Sequence, residues 1–169
     1  VFFIITICSW IASLHTERAQ KDIWGDNPDA RVCGVLPPWS TSKKVTGGFE
    51  VTGKWAFSSG CYHADWAALG IPVVDKDGNR LDDALALIPM KDIRIEDTWH
   101  MAGMRGTGSN TCVLDNVFVP EHRSVSFSTL RDACSPGSKV NANPIYRTPF
   151  IAVHSYALLG PVLGLARGG

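Results

Sequence analysis

Residues 31–120 read as a succession of short runs rich in Val, Ile, Phe, Trp and Thr, each ended by turn chemistry. This punctuation limits the fold more than any other feature of the chain. The runs are RVCGVL, KVTGGFEVTGKWAF, ADWAALGIPVV, ALALIPM, DIRIEDTW and TCVLDNVFVP, with turns at Gly47-Gly48, at Asp77-Gly78-Asn79 and over residues 106–110. About six strands joined mostly by tight turns point to an antiparallel β-barrel or sandwich, because parallel βαβ units would need a helix between consecutive strands.

Helical spacing flanks this region. Trp10, Ile11, Leu14, Ala19 and Ile23 recur at roughly helical intervals, so one helix is expected over residues 9–24, with GDNPDA from Gly25 as its stop. After Pro120, DACSPGSKVNANP reads as a loop that keeps its backbone out of the core. FIAVHSYALLGPVLGLARGG then resumes helical spacing, with Phe150, Val153, Ala157 and Leu158 on one face and Pro161 forcing a kink or a fresh start. The chain is therefore expected to be α+β: helix at 1–28, β-domain at 29–128, linker at 129–148 and helix at 149–169. No Met precedes Val1, and the final helical pattern has nothing after it to pack against, so the sequence reads as a fragment.

Composition removes several function classes. Sixteen Lys+Arg balance sixteen Asp+Glu without any block of like charge, so neither nucleic acid nor an acidic membrane surface is expected as a partner. The opening VFFIITICSWIA is apolar but too short to span a bilayer and is interrupted by Thr6 and Ser9; a buried helix is expected there. Cys8, Cys33, Cys61, Cys112 and Cys134 are odd in number and lack C-x-x-C spacing, which suits reduced thiols in the cytoplasm. The five histidines form no H-x-H or H-x-x-x-H pair, so no metal site is expected, and no G-x-S-x-G elbow supports a serine hydrolase.

Two stretches could carry chemistry. In WAFSSG, strand alternation would put Trp55, Phe57 and Ser59 on one face and Ala56, Ser58 and Gly60 on the other. Such a face is a flat apolar wall ending in a hydroxyl, suited to a heteroaromatic ring. The pattern alone favours a core role for Trp55 and Phe57, since aromatic residues are ordinary in strands. In WHMAGMRGTGSN, the glycines at 103, 106 and 108 with Thr107, Ser109, Asn110 and Arg105 could gather backbone N–H groups around an anion. The register fits neither G-x-G-x-x-G nor a P-loop, so a bulged turn between strands is the default.

Taken in order, ERAQKDIWGDNPDARVCG, GGFEVTGKWAFSSGCYHADWAALG, WHMAGMRGTGSNTCVLDNVFVPEHRSV and YRTPFIAVHSYALLGPVLGLARG resemble one family over nearly the whole chain. It is the oxygenase component of two-component flavin-dependent monooxygenases built on the acyl-CoA dehydrogenase fold, such as p-hydroxyphenylacetate hydroxylase. The resemblance implies an N-terminal helical part, a middle β-domain and the first helix of a C-terminal bundle. It implies reduced FMN or FAD from a separate flavin reductase, O2 and an aromatic or polyketide-like substrate hydroxylated through a C4a-hydroperoxyflavin, in a homo-tetramer. By the same resemblance Ser59 is the catalytic donor near flavin N5. Cys33, Gly34, Trp55, Phe57, Ser58, Ser59 and Trp99 border the ring. Some members carry a histidine on the last N-terminal helix that ionises a phenol; Cys8 stands near that place, and His15 receives no catalytic role. Acyl-CoA dehydrogenases share the fold but show a different run where this chain has CGVLPPWSTS. A β-domain without catalysis, serving only as an interaction module, is the remaining alternative.

Overall fold

The computed structural model describes residues 2–168; Val1 and Gly169, the outer limits of the expected domains, lie outside it, as do the side chains of Phe2 and Leu158. Eight strands form two four-stranded sheets. The first contains β1 (Val32–Val35), β4 (Trp66–Val74), β5 (Arg80–Pro89) and β8 (Ser124–Ser126), in that spatial order. The second runs β2 (Ser40–Val45), β3 (Gly48–Trp55), β7 (Thr111–Pro120) and β6 (Arg94–Glu96). The sheets face each other as an open sandwich, which decides between the two expected all-β arrangements: there is no closed barrel. Nor is the pairing wholly antiparallel, because β1 lies parallel to β4, with Val32 opposite Trp66 and Val35 opposite Leu69. The short strand β8 falls just beyond the runs read from the sequence.

The first sheet is buried on both faces. Ala67, Leu69 and Ile71 of β4 and Ala84, Ala86 and Ile88 of β5 point between the sheets, where they meet Phe49, Val51 and Trp55 of β3 and Leu114 of β7. Trp66, Ala68, Leu85 and Leu87 point the other way, onto the helices. That double burial explains why WAALGI is apolar without alternation. Each fully buried Leu, Ile or Val there contributes about 1.5–3 kcal/mol.

Two helices, not one, cover the first sheet. Helix α1 (Phe2–Ala12) buries Ile7, Cys8, Ile11 and Ala12, and α2 (Glu17–Trp24) buries Ala19 and Ile23. The corner between them inserts His15, fully buried, with Nε2 3.0 Å from the Leu85 carbonyl and Nδ1 3.2 Å from that of Ile11. Thr16 then caps α2 by accepting the Ala19 N–H and donates to the His122 carbonyl. The 9–24 periodicity runs straight through this corner because both helices turn their apolar sides to one sheet.

The stretch after β8 is also more ordered than its composition suggests. It holds α3 (Phe127–Arg131) and the single turn α4 (Gly137–Val140), and Gly137 is buried with its N–H donated to the Leu14 carbonyl at 2.9 Å. A Cβ at Gly137 would lie 2.0 Å from the Ser13 carbonyl oxygen, so glycine is what lets the two backbones meet. Helix α5 (Phe150–Gly168) continues through Pro161. It anchors through Phe150, stacked on Trp10 with ring centroids 5.8 Å apart, and then leaves most of its length exposed. By length and composition alone it could also cross a bilayer.

Candidate functional site

Strand β3 ends at Trp55, and the chain then leaves the sheet. Phe57 takes the left-handed region at φ 58° and Gly60 does so at 85°, so the expected alternation from Trp55 through Ser59 does not hold. Trp55 turns inward, wholly buried between the sheets, and its indole N–H donates to the Gly70 carbonyl at 2.9 Å. Phe57 turns outward and is 56% exposed. Ser58 is buried, its hydroxyl donating to the Trp55 carbonyl and its N–H to the Asn110 carbonyl at 2.9 Å. Ser59 is left half-buried at the rim.

The second wall comes from the segment between β6 and β7. Trp99 meets Phe57 edge to face, with ring centroids 6.0 Å apart and planes at 89°. Its indole N–H donates to the carbonyl of Met104, itself left-handed at φ 57°, and Thr107 donates its hydroxyl to the same carbonyl at 2.9 Å. Residues Arg105–Thr107 form a single 3-10 turn between left-handed Met104 and Gly108. This replaces the bulged turn expected there.

Between these walls lies a cleft of about 280 Å³ lined by Ile4, Ser59, Gly60, Trp99, Met104, Thr107 and Ser109. A smaller one of about 110 Å³ lies along Phe57, Trp99 and Ser109. No lining residue of either is ionised, and the polar groups offered are hydroxyls and backbone. Ser59 Oγ and Ser109 Oγ are 2.9 Å apart, so the pair shares one proton and holds a second for another acceptor. The Phe57 carbonyl, 3.4 Å from Ser59 Oγ, is a long alternative.

Of the residues expected at the site, Ser59, Phe57 and Trp99 come together, whereas Trp55, Cys33 and Ser58 stand behind the wall with their side chains buried. Gly34 lies beside α1, where a Cβ would fall 3.1 Å from Cys8 Sγ and 2.9 Å from the Ala68 carbonyl oxygen. A Cβ at Gly60 would lie 4.0 Å from Cys33 Cβ, which puts β1 directly under the Ser59 turn. Burial pushes the Cys8 thiol up to about 12, so it stays neutral. Hydrogen bonding with Cys33, with burial added, raises Cys112 to about 11; hydrogen bonding with Cys112 raises Cys61 further. Cys33, Cys61 and Cys112 fill the core between the sheets beneath the turn, whereas Cys8 packs on the helix side of the first sheet.

Ser109 and Asn110 enter the site by a route the sequence did not show. Their place after a glycine-rich loop suggested backbone anion binding, but both are buried and turn their side chains to the Ser59 and Trp99 segments. A larger groove of about 690 Å³ lies elsewhere, between α2 and the ends of β4 and β5. Its charges are partly paired, with Asp22 receiving His122 at 2.8 Å and Arg123 at 2.6 Å while Arg123 sits over the Trp66 ring. It contains none of the residues expected to act.

In sequence and in fold this open sandwich backed by helices is similar to the oxygenase subunits of flavin-dependent monooxygenases. The resemblance read from the sequence therefore holds over 98% of the chain. One relative is the oxygenase subunit HsaA of Rhodococcus jostii, 43% identical over 165 residues that are 98% of this chain and 43% of that protein. Another is the oxygenase component of an FADH2-dependent resorcinol hydroxylase from a Rhizobium species, 35% identical over 98% of this chain and 41% of its own length. The crystal structure of 3-HSA hydroxylase from Rhodococcus superposes with a TM-score of 0.92 at 42% identity, over 98% of this chain and 43% of that one. The chain thus spans less than half the length of these relatives. No family model matches it.

Proposed function

We propose that this chain supplies the β-domain wall of an oxygenase component that holds reduced FMN or FAD and directs O2 to an aromatic or polyketide-like substrate. The observation that carries the reading is the Ser59–Ser109 hydroxyl pair at the rim of an uncharged cleft faced by Trp99. Reduced flavin, when bound, supplies the electrons that activate O2 so that one oxygen atom reaches the substrate and the other leaves as water. Ser59 would be the hydrogen-bond donor to the ring edge, with Ser109 fixing its rotamer. Trp99 and Phe57 would exclude water, which favours oxygen transfer over release of peroxide. Trp55 and Cys33 would act from behind, by filling the space under the turn, and Gly34 and Ser58 by letting backbones approach closely.

The reductase is proposed as a separate protein, the assembly as a homo-tetramer and the compartment as the cytoplasm, in keeping with five free cysteines. FAD is the flavin to try first, because one relative's name specifies FADH2. The test is anaerobic titration with reduced FMN and reduced FAD, followed by mixing with O2 and assay of peroxide per flavin oxidised. Ser59→Ala is expected to raise peroxide release about tenfold, the worth of one hydrogen bond of about 1.4 kcal/mol, with little loss of melting temperature. An unchanged peroxide ratio would remove Ser59 from this role. Desaturation of an acyl-CoA without any hydroxylation would instead favour the dehydrogenase reading of the fold.

A further inference from the structure

We infer that Asn110 is a positioning residue that sets the separation of the two cleft walls. It sits immediately before β7, so its backbone is held by a strand paired on both sides, to β3 and to β6. From that fixed point it reaches both walls. Its carbonyl accepts the Ser58 N–H at 2.9 Å, which fixes the turn carrying Ser59. Its side-chain Oδ1 accepts two N–H groups at once, from Thr98 at 2.9 Å and from Trp99 at 3.1 Å. Its Nδ2 donates to the Gly108 carbonyl at 3.5 Å, near the end of the same loop. Only this orientation of the amide gives every partner a complementary group.

The arrangement is asymmetric in a way that can be measured. The link to the Ser59 turn is made by backbone and survives any side-chain replacement. The link to Trp99 is made by the side chain. Residues 97–104 belong to no strand, and among the described residues Asn110 Oδ1 is the acceptor for the Trp99 backbone N–H. Thr98 adds a hydroxyl contact to Thr111 at 2.7 Å, again to the base of β7. Truncating Asn110 should therefore free one wall and leave the other in place. At 3% exposure its side chain does not line the cleft, so its effect on any bound ring passes through Trp99.

The consequence for a flavin rests on the reading proposed above; the positioning itself does not. The test is hydrogen exchange of the tryptophan indole N–H groups by NMR, with the Trp99 resonance assigned from Trp99→Phe and the buried Trp55 indole as internal control. In Asn110→Ala the Trp99 indole is expected to exchange about tenfold faster while Trp55 is unchanged. Asn110→Asp keeps the acceptor for both N–H groups but turns its second oxygen towards the Gly108 carbonyl, so Trp99 exchange should stay well below that of Asn110→Ala. Equal protection of Trp99 in Asn110→Ala and wild type would overturn the proposal. If Asn110→Ala does not fold, Asn110→Ser replaces it: serine is too short to reach both N–H groups, and Trp99 protection equal to that of Asn110→Asp would overturn the proposal just as well. The same samples are then titrated anaerobically with reduced FAD and followed by tryptophan emission. No response in wild type alongside the expected exchange pattern sinks the flavin reading and leaves Asn110 its role. A response in wild type with Trp99 exchange unaffected by Asn110→Ala does the reverse.

Discussion

His15 shows how a single buried side chain ties stability to pH. Burial lowers its pKa below the ordinary histidine value, against the contacts with the Leu85, Ile11 and Ala12 carbonyls that act to raise it. The folded chain therefore holds the ring neutral where the unfolded chain takes up a proton. The stabilisation is complete above the unfolded value of about 6.5 and is lost as pH falls from there towards the folded value. His154, also lowered by burial, acts in the same direction. The urea midpoint of the wild-type chain should accordingly drop as pH falls below about 6.5, and His15→Gln should flatten that drop. Parallel pH curves for the two proteins would show that His15 titrates alike folded and unfolded. At this scale the sequence told less about the site than about the core. Ser59, Phe57 and Trp99 were legible as partners through the family resemblance and the buried Trp55 through its strand pattern, but the outward turn of Phe57 was not. It depends on Phe57 adopting a left-handed backbone, which a phenylalanine gives no local reason to expect.

Among the elements, strands were easier to read than their partners. The six runs in residues 31–120 mark β1 and β3 to β7 because side-chain chemistry and turn residues are local signals, whereas most of the polar strand β2 precedes its run. The parallel pairing of β1 with β4 is not local: a 30-residue excursion through the second sheet separates them, and nothing in VCGV specifies its neighbour. The α1–α2 corner was hidden for another reason. Two helices turning apolar sides to one sheet mimic a single period, although Thr16 is a legible cap. The small turn α4 makes a sharp test of the order found after β8. Gly137→Ala would force a methyl group to 2.0 Å from the Ser13 carbonyl oxygen, and the backbones must part to admit it. A loss of about 1–3 kcal/mol in chemical unfolding is expected, typical of overpacking. A neutral result would mean that this stretch lies free of the helical corner.

For the molecule as a whole, the contrast between the sandwich and α5 matters most. The sandwich and its two covering helices share two contiguous cores, whereas Tyr156, Val162, Leu163 and Leu165 of α5 are at least 60% exposed. A helix held mainly by its first turn adds little to cooperative unfolding. Truncation after Ala157 should shift the melting temperature by less than about 2 °C while reducing binding of a hydrophobic dye, since the exposed apolar stretch is removed. A large fall in melting temperature would instead make α5 part of the folding unit. The interleaved strand order carries a consequence for biosynthesis. Sheet one needs β8 and sheet two needs β7, so neither can close until the ribosome has released almost the whole β-region. A nascent chain halted before Asn110 would carry the Ser59 turn with no Asn110 carbonyl to accept the Ser58 N–H. Translation must pass that point before the two walls of the cleft can exist together.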